Sequence, residues 1–219
     1  MAAAAAVTAL SGCDRTVDGA AAWIGGSAQS ATGSRPTTKS NRPPVPGIET
    51  TLPEHIPPNA FVCFPGPPGI GIGTVAQVSD PAAPRITLTV PESWTDEAGQ
   101  DDLALSLDGP AGMTGKVTIT VTARDPASAF ADYLATLLRS KPDAHVDTVG
   151  VKFCGYSSEK LTGTFLGPQG AEEFADRITH IWTNTGKYLV AIHLEGPPDA
   201  SGFGAAKAAL MQDFAVVIP

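Results

Sequence analysis

The residues able to do chemistry are few and scattered. Cysteines stand at Cys13, Cys63 and Cys154, and histidines at His55, His145, His180 and His193. No H-x-H, H-E-x-x-H or C-x-x-C spacing joins them, so no metal site is expected. No G-x-S-x-G occurs, and Ser157 and Ser158, which follow Tyr156, have no general base near them in sequence. The paired carboxylates Asp101-Asp102 and Glu172-Glu173 fall where turns or exposed strand starts are expected, and a solvated role outweighs acid and base catalysis there. Gly69, Gly71 and Gly73 lack the G-x-G-x-x-G spacing and a following Lys, which argues against a phosphate-cradling loop. The expectation is a chain with no catalytic residues and no cofactor.

Of the cysteines, Cys13 has the most telling context. It closes the stretch Leu10-Ser11-Gly12-Cys13 behind an apolar run over 2–10. That run has the length of a signal-peptide core rather than of a membrane span. The pattern resembles the bacterial lipoprotein signal, in which the cysteine receives a diacylglycerol and the peptide before it is removed. The resemblance implies a signal peptide over 1–12 and a mature chain that begins at Cys13. Diacylglycerol plus a further acyl chain such as palmitate exceeds the two-chain threshold for stable anchoring. The expected place is the outer face of the cytoplasmic membrane, in the cell envelope or shed from it, with the membrane as a partner through the anchor. No Lys or Arg precedes Ala2, so translation is expected to start upstream.

Export bears on the other two cysteines. Cys63 and Cys154 are an even pair in an oxidising compartment, which favours a disulfide over two separate buried thiols. The bridge would close a loop of roughly 90 residues, for which chain entropy gives on the order of 4 kcal/mol. The charge is −8, and the 14 basic residues form no cluster. That combination argues against a nucleic-acid partner.

Residues 14–58 are rich in Gly, Ala, Ser, Thr and Pro and show no periodicity. Such a segment cannot bury enough surface to offset its ordering entropy. We expect a tether over 13–58, with a reach near 40 Å from a flexible-coil estimate, and one domain over 59–219. Trp23 and Ile24 offer the alternative of a small docking point within it.

Inside the domain, 61–64 is a short apolar run and 65–73 a turn-rich loop. Arg85-Ile-Thr-Leu-Thr-Val90, 103–107 and 116–122 alternate apolar and polar residues, as in antiparallel strands with one buried face. Asp125 and Pro126 are start signals for a helix that Lys141-Pro142 ends. Its apolar stripe is Phe130, Tyr133, Leu134, Leu137 and Leu138. Further strands are expected over 146–153, 158–165, 174–183 and 188–194, the last two joined by a hairpin through Asn184-Thr-Gly186. Both faces of 188–194 are largely apolar, so cover on both sides is expected. A second helix follows Pro197-Pro198-Asp199, with Phe203, Ala206, Leu210, Met211 and Phe214 inward, and 216–218 trails off. This order predicts an α+β fold, an antiparallel sheet with helices packed on its faces.

The succession of a polar arm, Ile86-Thr-Leu-Thr-Val-Pro-Glu-Ser-Trp94, the Asp125-Pro126 helix, Phe153-Cys-Gly-Tyr156, Leu161-Thr-Gly-Thr-Phe165 and the closing hairpin is similar to the mycobacterial LpqN-type lipoproteins. The resemblance covers roughly residues 84–219. It implies a Mog1/PsbP-like α/β sandwich, no known catalysis and a cell-envelope role tied to lipid or glycolipid handling and to secreted antigen behaviour. The 65–73 loop and the Cys63 and Cys154 pair depart from that pattern.

The function expected from these observations is a non-enzymatic, lipid-anchored envelope lipoprotein. It would bind an apolar or amphipathic envelope ligand, a lipid or glycolipid, between sheet and helices. The alternative is a protein-binding scaffold or secreted antigen with a solid core and an exposed aromatic patch near Trp94 or Trp182. A hydrolase would require two carboxylates, or a Ser and a His, to converge in a cleft.

Overall fold

Asp125 starts the first helix as its sequence signals require. Its carboxylate accepts from the Ser128 backbone N–H at 3.1 Å and from the Ser128 hydroxyl at 2.7 Å, while Pro126 occupies the first turn. Helix α1 runs Pro126–Ser140. Its stripe buries Phe130 and Leu137, half-buries Tyr133 and Leu134, and leaves Leu138 exposed at the margin. The computed structural model describes residues 45–51, 55–65, 71–168 and 170–219. Cys13, the signal-peptide stretch, Trp23, Ile24 and Gly69 lie outside the described residues.

Eleven strands build two antiparallel sheets among the described residues. The strands are β1 (Ala60–Cys63), β2 (Ile72–Ala76), β3 (Arg85–Val90), β4 (Thr95–Ala98), β5 (Leu103–Asp108), β6 (Thr114–Val121), β7 (His145–Phe153), β8 (Tyr156–Gly167), β9 (Gly170–Trp182), β10 (Lys187–Gly196) and β11 (Ala215–Ile218). A seven-stranded sheet has the order β4-β5-β6-β10-β9-β8-β7, and a four-stranded sheet the order β1-β11-β3-β2. Helix α2 spans Phe203–Leu210. The fold is α+β.

Period-two alternation sorts the seven-stranded sheet into two covered faces. On one, Leu161, Phe174, Ile178 and Ala191 meet Phe130 and Leu137 of α1. On the other, Val117, Ile119, Val190, Ile192 and Leu194 join Ile86, Leu88, Val216 and Ile218 of the smaller sheet and Phe203, Ala206 and Leu210 of α2. Cover on both sides explains why β10 is apolar on both faces. Val121, expected inward, is 66% exposed at the end of β6.

Three expectations need correction. The 216–218 stretch does not trail off: it is β11, hydrogen-bonded to β1 on one side and β3 on the other. Phe214 belongs to the approach to β11 and not to the second helix, which ends at Leu210. Residues 45–51, expected within the tether, lie instead against β7 and β8. The Ser158 N–H donates to the Gly47 carbonyl at 2.8 Å, and the Glu49 N–H to the Ser157 hydroxyl at 2.8 Å. Gly47 and Gly150 permit this approach, because a Cβ on Gly47 would stand 2.5 Å from the Ser158 carbonyl oxygen and one on Gly150 2.4 Å from that of Pro46. Folded packing therefore begins earlier than residue 59.

Candidate functional site: two grooves and a buried ionic cluster

The turn between β7 and β8 is two residues long, with φ positive at both Cys154 (50°) and Gly155 (79°). Such a turn matches the twist of the flanking strands. It carries Cys154 to Cys63 of β1, and the two form a disulfide with Cα atoms 5.5 Å apart. The two cysteines thus join the smaller sheet to the larger one.

Beside this bridge opens a groove of about 470 Å³. Its walls include His55, Ile56, Phe61, Val62, Tyr156 and Trp182. Asn184 of the β9–β10 turn holds one wall by pairing with the Ile56 backbone twice: it accepts from the N–H at 3.1 Å and donates to the carbonyl at 2.6 Å. Tyr156 and Trp182 pack with ring centroids 4.7 Å apart. Burial pushes the Tyr156 hydroxyl up to about 12, so it stays a neutral donor. Trp182 is 6% exposed, and its buried indole N–H has no hydrogen-bond partner among the described residues. Such an unmet donor costs about 1–3 kcal/mol. On the rim, Phe61 and Phe64 meet edge to face and stand 64% and 80% exposed.

A second groove, of about 500 Å³, lies between β8, β9 and α2, with Lys160, Lys207 and Gln212 in its lining. Beneath it Arg177 is 1% exposed. Its guanidinium pairs with Asp213 at 2.8 Å, donates to the Met211 carbonyl at 3.0 Å and lies 4.9 Å from the Phe153 ring centroid.

The third feature is an ionic cluster under α1. His193 donates from Nδ1 to Asp176 Oδ1 and from Nε2 to Glu195 Oε2, the latter at 3.0 Å. Lys141, just past the helix end, donates to the same Glu195 oxygen at 2.7 Å, with its ammonium 3.4 Å from the Phe165 ring centroid. Burial opposes the imidazolium, yet the two carboxylates outweigh it and hold His193 above its ordinary value. Hydrogen bonds from His193 and Lys141 bring Glu195 down to about 2. Burial, then the Asp176 carboxylate, keeps the Tyr133 hydroxyl well above the usual range. An imidazole that donates from both nitrogens has no lone pair for a base. This cluster fixes α1 to the sheet.

The remaining sequence candidates have structural posts. His180 is pushed down by burial and donates from Nε2 to the Arg124 carbonyl at 3.1 Å. Ser158 is buried, with its hydroxyl donating to the Ile178 carbonyl at 2.9 Å. Asp101 and Asp102 are exposed in a turn, and Glu173 faces Lys207 at 3.3 Å. Trp94 is buried, packed so closely that a Cβ on Gly109 would stand 2.4 Å from its ring. No group of three metal-ligating side chains forms among the described residues, and no helix among them is long and apolar enough to cross a membrane. Sequence reasoning missed Asp176, Arg177, Glu195 and Lys141.

No protein-family model and no curated protein matches the chain. Solved structures do. PA94 of Pseudomonas aeruginosa, a protein of unknown function, matches with 12% identity and a TM-score of 0.40, over 65% of this chain and 96% of that one. A protein of Bacteroides thetaiotaomicron matches with 13% identity and a TM-score of 0.35, over 62% and 46%. Both are too loose to carry an argument. The match to LpqN, described as involved in cell envelope biogenesis of Mycobacterium tuberculosis, has a TM-score of 0.54 and 16% identity over 67% of this chain and 91% of that one, and it establishes that the fold is LpqN-like.

Proposed function

We propose that this chain is a non-enzymatic envelope lipoprotein of the LpqN type, anchored through Cys13, that holds an apolar or amphipathic envelope ligand in the groove beside the disulfide. The observation that carries this reading is the largely apolar groove walled by Ile56, Phe61, Val62, Tyr156 and Trp182, with the Trp182 indole N–H unmet behind it. An apolar body with one hydrogen-bond acceptor is the ligand such a lining suits. The lipoprotein-like stretch ending in Cys13, and a neighbour of similar fold described as involved in cell envelope biogenesis, support the envelope setting.

The test is native mass spectrometry on the chain purified without detergent from a mycobacterial host, with envelope lipid extract added afterwards. Added mass that extraction identifies as a lipid, and that Trp182→Phe diminishes, is the expected result. A clean apo mass in both preparations rejects carriage. The exposed Phe61 and Phe64 pair favours the second reading, a protein-binding scaffold. Under that reading Phe61→Ser with Phe64→Ser abolishes partner capture and leaves the mass unchanged.

A further inference from the structure

The groove against α2 differs in chemistry from the one beside the disulfide. The chain carries a charge of −8, yet Lys160 and Lys207 line this opening over the buried Arg177. The compensation of these three cations is uneven. Arg177 is paired with Asp213 at 2.8 Å, and Lys207 reaches Glu173 at 3.3 Å. Lys160 has no carboxylate within ion-pair distance among the described residues; Arg177, opposite it across β8 and β9, and Asp213 are the charges that act on it. Burial, then the Arg177 charge, lowers the Lys160 ammonium from its ordinary value, so the site favours a negative charge brought from outside.

A neutral donor points the same way. The side-chain nitrogen of Gln212 is shut off from solvent and has no hydrogen-bond partner among the described residues. The unpaired Lys160 ammonium, the Lys207 ammonium shared with Glu173 and the unmet amide N–H make a set of donors that an oxyanion would complete. Met211, buried, supplies apolar surface in the same lining. Asp176 also borders the groove, but its carboxylate is hydrogen-bonded to His193 on the α1 side of the sheet. The overall negative charge limits the guest to a single anionic group, since a polyanion would meet repulsion beyond the groove.

We propose that this groove is a second binding site, independent of the one at Trp182, for an oxyanion held by Lys160, Lys207 and Gln212. Phosphate and carboxylate share the required chemistry, and the anion is either free or the headgroup of an amphiphile whose chain lies against Met211.

The experiment is a titration of the ¹⁵N-labelled full chain, followed through the Gln212 side-chain amide resonance. Three probes are compared: inorganic phosphate, dodecyl phosphate below its micelle concentration, and neutral dodecyl maltoside. A saturable shift with dodecyl phosphate is expected. Loss of one charge-assisted hydrogen bond in Lys160→Met or in Lys207→Met weakens it about tenfold or more, whereas Trp182→Phe leaves it unchanged. A shift of equal affinity with inorganic phosphate assigns the site to a free anion, and a shift with dodecyl phosphate alone assigns it to a headgroup. No saturable shift with either anion overturns the proposal, as does an equal shift with the maltoside or wild-type binding by both lysine variants. Should Lys160→Met fail to fold, Lys207→Met carries the test from the less buried helix face.

Discussion

Asp176 and His193 face each other across the β9–β10 hairpin, hydrogen-bonded side chain to side chain, with α1 closed over them. The pair is sealed from water: Asp176 is fully buried and His193 is 5% exposed. Removing the imidazole leaves a carboxylate buried without its charge partner, a change that costs about 3–5 kcal/mol. His193→Leu is expected to lower the unfolding free energy at pH 6 by that amount, read from urea curves.

The same cluster sets a pH profile. His193 is held above its ordinary value of 6.5, so its contribution is full below about that pH and is lost as the pH rises through the raised folded value. Glu195 is depressed from 4.5 to about 2, so its contribution is present above about pH 4.5 and is lost as the pH falls through about 2. Both act fully only between about 4.5 and 6.5. Urea midpoints measured from pH 6 to 9 should decline for the wild type and converge on those of His193→Leu. Parallel curves would count against the imidazolium.

Arg177 and Asp213 are expected to differ in cost. Asp213→Ala leaves a guanidinium buried without a carboxylate, at about 2–3 kcal/mol, reduced from the fully buried case because Asp213 is half exposed. Arg177→Met replaces the charge with an apolar chain of similar length among Phe153 and Phe214, at less than about 1.5 kcal/mol. Chemical denaturation ranks the two, and the reverse order would sink the argument.

The disulfide acts on the unfolded chain. Replacing both Cys63 and Cys154 by Ser, or adding reductant, should lower the unfolding free energy by on the order of 4 kcal/mol while leaving the far-UV circular dichroism of the folded state intact. Denaturant curves with and without reductant give the value. A difference under about 1 kcal/mol would show that the unfolded chain is already constrained.

Gly150→Ala tests the docking of residues 45–51. A Cβ there meets the Pro46 carbonyl oxygen at 2.4 Å, so the segment must shift, at about 1–3 kcal/mol. Limited proteolysis should cut near residue 47 faster in the variant. Gly155→Ala is the contrast: its φ is 79° and no atom lies within 4 Å of the added Cβ, so only backbone strain of about 1–2 kcal/mol is expected, with proteolysis unchanged.

Much of this architecture was legible in local chemistry. Asp125 and Pro126 located α1, and the alternation of β3, β6 and β10 located their buried faces. The Asp176–His193 pair was legible in principle too: counting outward from the turn, with Trp182 opposite Lys187, sets the two residues opposite each other. What local pattern could not reveal depends on distant partners. β2 and β11 are short, and their strand character comes from β3, which pairs with both. Residues 45–51 hold isolated apolar side chains among Pro and Gly, and their order comes from Ser157 and Ser158. Arg177 is buried because Asp213 and Met211 wait for it beyond α2. The unmet N–H groups of Trp182 and Gln212 are consequences of packing, which no spacing encodes.

The position of β11 bears on how the chain assembles. It forms ladders with both β1 and β3, which precede it by most of the domain, so the smaller sheet cannot close until the last strand has been delivered. Contacts of such long sequence separation form slowly, since loop-closure entropy is incurred before any ladder bond compensates it. Until then β1 has no partner strand and the apolar face of β3 lacks much of its cover. The last strand is thus the closing piece of the smaller sheet, and a cut before Ala215 would leave β2 and β3 hydrogen-bonded only to each other and β1 without a ladder.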